Sequence, residues 1–450
     1  MAHDPATRRS DGEPVPAAGV GWRLLKSRDF GCLFAGQAIS QIGDGINRVA
    51  LLWFVYELTG SALKTTVIGL LQTLPPLVLG PLIGVYLDRW PKKRVMVWVD
   101  LIRTLMVMLI PLSYALGVLT IDRLYLLVFL TAIFSTVFGP ALASAVPLIV
   151  SRGQLTAANA LLQSTANIGV LVGPAVSGLG IALIGAQNVL YVNAGTFFIS
   201  AICLLPIRVR KVTPAAAHEG LQGSLVRDLR DLSIGFRFVF VQHPMVSMLM
   251  YTAALYTLGM SAFAFLLPVV AKQILRIGPV ELGWLWSGLG VGMLASSCWL
   301  AWVQQGNLRD RFRIIAGSLA VGGAAVCGLS LFKSLPLSAA LVILIGGSTA
   351  LFMPVVWTVL QELTPQPLLG RVFTMFSTGG MAAAMAGMSG FGWAADAVSP
   401  VASLIGVGLF LLGASALAAH FSLRCGPTGA GSPVPSRVRI GMPTVAARQA

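Results

Sequence analysis

Gln37, Gln41, Asp44 and Arg48 are spaced four, three and four residues apart, so on a helix they share one face. The stretch that carries them, Phe30 to Tyr56, is otherwise mostly apolar. An acid in that setting can take up and release a proton. A guanidinium one turn away can hold its charge, and the two amides can bind a polar solute beside it. A charge near the centre of a membrane helix costs at least about 2.5 kcal/mol, so such a residue normally faces a cavity or a partner. The chemistry implied is proton exchange coupled to solute binding. The plainer reading is an Asp44–Arg48 pair that neutralises itself and only shapes the helix.

A second concentration of charge is Gly84-Val-Tyr-Leu-Asp88-Arg89-Trp-Pro91-Lys92-Lys93-Arg94. Cytoplasmic anchoring explains the three consecutive cations. It does not explain an acid and a glycine at fixed spacing before them. Asp100 and Arg103 follow within the next apolar stretch, and Arg371 precedes a later one. Small residues recur at helical spacing in Gly169-x-x-x-Gly173-Pro174-x-x-x-Gly178 and in Gly288-x-x-x-Gly292-x-x-x-Ser296. They do so again in Gly80-x-x-x-Gly84 and in Gly379-x-x-x-Ala383-x-x-x-Gly387. Such faces let membrane helices approach closely and slide, or simply pack.

Enzyme chemistry finds no support in these residues. There is no His/Asp/Glu cluster, no nucleophile beside a base and no nucleotide-binding loop. His3, His218, His243 and His420 are scattered, and the five cysteines lack paired spacing. No metal, no disulfide framework and no cofactor are expected; a proton gradient is the expected energy source.

The elements that must position these groups are set by composition. The 450 residues are 56% hydrophobic and only 10% charged, against about a quarter charged in soluble domains. Lipid must therefore be the solvent for most of the chain. Twelve stretches approach the roughly 20 apolar residues a membrane helix needs. They cover 30–56, 66–87, 95–117, 124–149, 158–183, 189–207, 245–270, 282–303, 314–332, 337–360, 373–395 and 401–421. The period-two alternation of a barrel is absent. An all-α membrane protein follows, with two six-helix halves at 30–207 and 245–422. A cytoplasmic tail (1–29), a linker (208–244) and a Gly/Pro/Ser-rich tail (423–450) expected to be disordered complete the chain. Residues 1–16 are polar and give no cleavable signal, so the first span is expected to direct insertion. In the linker, Leu225, Leu229, Leu232, Phe236 and Val239 recur at helical spacing and predict a helix on the inner membrane surface.

The net charge of +15 comes from basic clusters between apolar runs, with no basic face for nucleic acid. With the N-terminus inside, only Lys64, Arg123, Lys272, Arg276 and Lys333 fall in external loops, and most of the 31 Lys and Arg residues are cytoplasmic. Both termini are expected inside.

The Gly84–Arg94 run resembles the G-x-x-x-D-R-x-G-[RK]-[RK] signature of the major facilitator superfamily, with Pro91 where that family usually has Gly. The Gly169–Gly178 run resembles the signature of its antiporters, with one Gly where two are common. Gln41-Ile-Gly-Asp44-Gly-Ile-Asn-Arg48, Tyr56-Glu-Leu-Thr-Gly-Ser-Ala-Leu63, Phe138-Gly-Pro-Ala141 and Leu155-Thr-Ala-Ala-Asn-Ala-Leu161 are similar to the drug:proton antiporter branch. That branch holds macrolide and tetracycline pumps and the enterobactin exporter. The resemblance runs from Arg28 to Leu423.

It implies the major facilitator fold and a cytoplasmic latch. Asp88, with Gly84, Arg89, Lys92 and Lys93, would meet the start of span 11 at Arg371, and Asp100 and Arg103 would complete the cluster. It implies that spans 2 and 11 meet, and spans 5 and 8, with Gly169, Gly173, Pro174, Gly178, Gly288 and Gly292 allowing sliding. It implies a cavity between spans 1, 4, 7 and 10, where Trp53, Ser135, Tyr251, Tyr256, Met260 and Trp357 stand. Large aromatic and Met surfaces suit flat, greasy solutes. Many such pumps carry an arginine midway along span 4; Ser135 stands there, so Asp44 and Arg48 become the coupling candidates. The expected activity is export of amphipathic, drug-like compounds by proton antiport. The expected setting is a monomer in the bacterial cytoplasmic membrane, with lipids and the small-molecule substrate as partners. Export of a self-made siderophore or peptide metabolite, and movement of lysolipid, are the alternatives.

Overall fold

The computed structural model describes residues 20–87, 90–151, 154–209, 236–302, 307–365 and 368–424. Asp88, Arg89, the Leu225–Leu232 part of the predicted surface helix and most of both tails (1–19 and 425–450) lie outside the described residues.

All twelve predicted spans are helices. In the first half they are α1 (Arg28–Thr59), α2 (Ala62–Leu87), α3 (Lys92–Ala115), α4 (Ile121–Ile149), α5 (Leu155–Ile184) and α6 (Ala186–Leu204). In the second they are α7 (Pro244–Val269), α8 (Pro279–Trp302), α9 (Leu308–Leu331), α10 (Leu335–Leu363), α11 (Leu369–Ala397) and α12 (Pro400–Arg424). Their ends follow local chemistry. The Thr120 and Ser334 side chains cap the first turns of α4 and α10. Gly60, at φ 63°, closes α1, a conformation that glycine adopts without strain.

Among the described residues, nine helices are long and apolar enough to cross a membrane by length and composition. The other three of the twelve are α1, α8 and α11. The first carries the polar face of Asp44; the other two are rich in Gly and Ser.

Helix packing reveals two related halves. In the first, α1 packs on α5 and α6, α3 on α4 and α6, and α2 on α4. In the second, α7 packs on α11 and α12, α9 on α10 and α12, and α8 on α10. Each contact has its counterpart six helices later. The halves meet through α2 with α11 and α5 with α8, a reciprocal arrangement that a twofold relation between them requires.

Glycines set how closely these helices approach. A Cβ on Gly45 would collide with the Gly169 carbonyl, and one on Gly173 with Gly45. Gly178 and Gly283 approach one another across the α5–α8 seam. The Gly288–Gly292–Ser296 stripe was expected at that same seam. It faces α10 instead: Gly292 abuts the Ile343 carbonyl, and Ser296 lies against Gly347. Gly169 and Gly173 likewise face α1 within their own half. Only Gly178 of these glycines serves the contact between halves.

Polar contacts join the halves at one end. At the end holding the α1–α2 turn, Asp396 of α11 accepts hydrogen bonds from the Ser61 hydroxyl and from the amides of Ala62 (2.7 Å) and Leu63 (3.0 Å). Gln273, just beyond α7, donates to the Tyr56 hydroxyl, and Lys272 lies 3.5 Å from Glu57. Further along α2 and α11, Gly80 and Gly379 have, among the described residues, no atom within 4 Å of where a side chain would begin.

Candidate functional site

Between the halves lies a cavity of about 520 Å³. Its wall is built mostly by the first half. Gln41, Asp44, Asn47 and Arg48 come from α1, Gln72 from α2, Arg103 from α3, and Thr131 and Ser135 from α4. The second half contributes Ala264 and Phe265 from α7 and Trp286 from α8.

The helical spacing of the α1 face brings Gln41, Asp44 and Arg48 to this cavity. Gln37, one turn earlier, does not reach it. That residue is buried among helices, and its Nε2 has no hydrogen-bond partner.

Asp44 does not pair with Arg48. Its Oδ1 accepts from Arg103 Nη2 at 2.8 Å. Arg103 Nη1 also lies 3.5 Å from Asp100 Oδ1, and its guanidinium sits 3.7 Å from the centre of the Phe197 ring. Asp100 is fully buried, and its other oxygen accepts from the Ser200 hydroxyl at 2.7 Å. One buried arginine is thus shared between a carboxylate that sees the cavity and one that is sealed behind it. This corrects the expectation for Asp100 and Arg103, which were placed with the cytoplasmic latch. They lie two to three turns into α3, too deep to reach its loop. Lys93 remains at that loop, where it donates to the Leu205 carbonyl at the end of α6. Arg371 sits in the first turn of α11, and its expected partner Asp88 lies outside the described residues.

Arg48 faces the cavity one turn from Asp44, with its guanidinium 5.8 Å from the centre of the Trp286 ring. This contact joins the two halves.

The expected aromatic lining is not there. Tyr256 is buried and stacks on Phe352 with ring centres 4.1 Å apart. Trp357 is exposed and meets Phe373 edge-on. Tyr251 is also exposed, and Trp53 is buried with Lys272 4.9 Å from its ring centre. None of these lines the cavity; Ser135 does. The aromatic rings that do are Phe197, Phe265 and Trp286. The sequence signal for Asp100 and Arg103 was their presence as charges within an apolar span, the same signal that marked Asp44.

The cavity can therefore hold a solute of moderate size against a half-polar wall, beside a carboxylate whose charge is held by a buried arginine. Comparison with known proteins fits that arrangement. The sequence model of the family described as "Transmembrane secretion effector" matches residues 20–444. The multidrug efflux pump Tap of Mycolicibacterium fortuitum is 28% identical over 390 residues, covering 85% of this chain and 92% of Tap. The enterobactin exporter EntS of Shigella boydii serotype 4 (strain Sb227) is 27% identical, covering 89% and 94%. Among solved structures, a bacterial homologue of the iron transporter ferroportin superposes with a TM-score of 0.66 at 15% identity, covering 88% of this chain and 98% of that one.

Proposed function

This chain belongs to the transmembrane secretion effector family of major facilitator transporters, and from that premise we propose that it exports amphipathic organic molecules in exchange for protons. The observation that carries the reading is Asp44, an acid open to a central cavity and held by Arg103. The similarity to a multidrug efflux pump supports the direction of transport.

The concentration of Lys and Arg in alternate loops supports both termini lying in the cytoplasm of a bacterial cell. In this reading the cavity opens to the cytoplasm, and the Asp396 contacts close the outer end. A molecule enters from the cytoplasm or inner leaflet. Its apolar body lies against Phe265 and Trp286, and its polar atoms meet Gln41, Asn47 and Gln72. Reversal of the cavity exposes Asp44 to the outside. A proton taken up there neutralises the carboxylate and removes its attraction for Arg103. Release of that proton to the cytoplasm restores the pair and resets the carrier. In the outward-open form the Asp88 motif closes the inner end against the Arg371 turn of α11, where helix-terminal amides favour an acid.

The test is transport by the purified protein in sealed vesicles, with and without an imposed proton gradient. Gradient-dependent accumulation that Asp44→Asn abolishes is expected. Wild-type gradient-driven transport in a well-expressed Asp44→Asn protein would assign coupling to another residue. Export of a self-made siderophore is a second reading in the same class, favoured by the similarity to an enterobactin exporter. A panel of drugs and iron-chelating metabolites in the same vesicles separates the two.

A further inference from the structure

Three charged side chains line the cavity: Asp44, Arg48 and Arg103. Two of them are committed to each other at 2.8 Å. The third is not. Among the described residues, the Arg48 guanidinium makes no ion pair and no hydrogen bond. Its contact is the face of Trp286, at 5.8 Å. It is exposed only because the cavity is there.

A guanidinium carries five N–H donors and no acceptor. Desolvating it without a partner is expensive, and more so in a membrane bundle. When a greasy molecule displaces water from this cavity, Arg48 must therefore meet an oxygen acceptor on that molecule. Otherwise the bound state carries the full cost of a stranded charge.

We infer that Arg48 is the polar anchor of the exported molecule, so that the cavity takes acidic or uncharged, oxygen-rich amphiphiles in preference to cations. The inference rests on the export reading for its substrate and does not depend on what drives transport.

The surroundings fit such a head group. Asn47 and Gln41 supply further amides on the same helix, and the Trp286 and Phe265 rings supply a flat apolar surface opposite. A carboxylate can be held by a guanidinium through two parallel bonds; an ester or ketone oxygen can take one. A cation would meet Arg48 as a like charge. Asp44 is the one carboxylate of the lining that could attract a cation: its Oδ1 is taken by Arg103, and Asp100 is sealed from the cavity, so two guanidinium groups face one cavity carboxylate.

The test is equilibrium binding to the purified full-length protein in lipid nanodiscs. Three probes share a naphthyl body and a short alkyl chain and end in a carboxylate, its methyl ester or a primary amine. The acid and the ester are expected to bind, and the amine at least about tenfold more weakly. Hydrogen bonds to a charged group are worth about 1.5–3 kcal/mol, so Arg48→Gln should lower the acid's affinity by about tenfold or more. The ester should lose less. Arg48→Glu should reverse the order of acid and amine.

An amine bound more tightly than the acid by the unsubstituted protein would overturn the inference, and that comparison needs no variant to fold. Unchanged acid binding in Arg48→Gln, with faster labelling of the cavity from outside, would also overturn it and leave the Arg48–Trp286 contact a gating strut only. If the binding order holds while vesicles show no outward transport, the export reading fails and this inference stands.

Discussion

Arg103 of α3 reaches Asp44 of α1 through Nη2 at 2.8 Å and lies 3.5 Å from Asp100 through Nη1. One guanidinium therefore stands between two carboxylates, one of them fully buried. Breaking a buried pair from one side typically costs about 3–5 kcal/mol, because the remaining charge has no water to return to. Arg103→Gln should lower thermal stability in detergent to that extent. Arg103→Gln combined with Asp100→Asn should recover much of it, since the sealed carboxylate is then gone and the remaining one, Asp44, faces the cavity. A single variant that melts like the wild type would mean that water reaches Asp100.

Asp44→Asn keeps the size of the side chain and removes the charge that Arg103 holds. It mimics a permanently protonated acid. Gradient-driven export should fall at least tenfold, while substrate binding and downhill exchange persist. Comparing counterflow with net transport in the same vesicles separates these effects. Equal loss of both would make Asp44 a structural residue.

Periodicity made Asp44 and its helical face legible, because three- and four-residue spacing determines which side chains share a direction. Partner choice was not legible in the same way. Arg48 is the nearer cation in sequence, yet Arg103 arrives from another helix, and nothing in the spacing of α1 reveals which helix covers it. Small-residue stripes have the same ambiguity. Gly288 and Gly292 announce a close approach without saying to what, and α10 rather than α5 supplies the neighbours, with main-chain atoms at Gly292. Tyr256 and Trp357 show the limit for aromatics. An apolar ring costs nothing when buried or in lipid, so its position in a span does not tell a cavity from a core.

The glycine contacts make a graded prediction. A methyl group on Gly45 or Gly173 would meet main-chain atoms of the opposing helix, which cannot rotate away. Overpacking of this kind typically costs about 1–3 kcal/mol. Gly80 and Gly379 have open space around them. Gly80→Ala and Gly379→Ala should be neutral, or stabilising by up to about 1 kcal/mol through helix propensity. Thermal melting of the four single variants checks the order, and destabilisation by Gly80→Ala would point to a tighter inner end.

Orientation is testable without transport. An impermeant maleimide added outside whole cells should label Lys64→Cys and Lys333→Cys but not Arg227→Cys. The first two follow α2's start and α9's end, where basic residues are few. Labelling of position 227 from outside would invert the assignment and place the closed end of the bundle inside.

The closed end itself depends on Asp396 more than on the ion pair beside it. Lys272 and Glu57 are both well exposed, and pairs of that kind contribute about 0–1 kcal/mol. Asp396 instead reaches across to the other half and caps the first turn of α2 with two amide bonds and the Ser61 hydroxyl. An acid at a helix N-terminus is favoured both by unpaired amides and by the helix dipole. Its partial exposure reduces the value, so about 1–2 kcal/mol is a reasonable total. That would shift a two-state carrier toward the outward-open form by about 5–30-fold. Gln72→Cys, on the cavity wall, reports the shift. An impermeant maleimide added outside should label it that much faster when Asp396→Ala is present, and Lys272→Gln should change the rate less than threefold. If the two variants act equally, the Asp396 cap is incidental and closure resides in the packing of α2 against α11, where Gly392 meets Thr66 and Gly69 meets Met388.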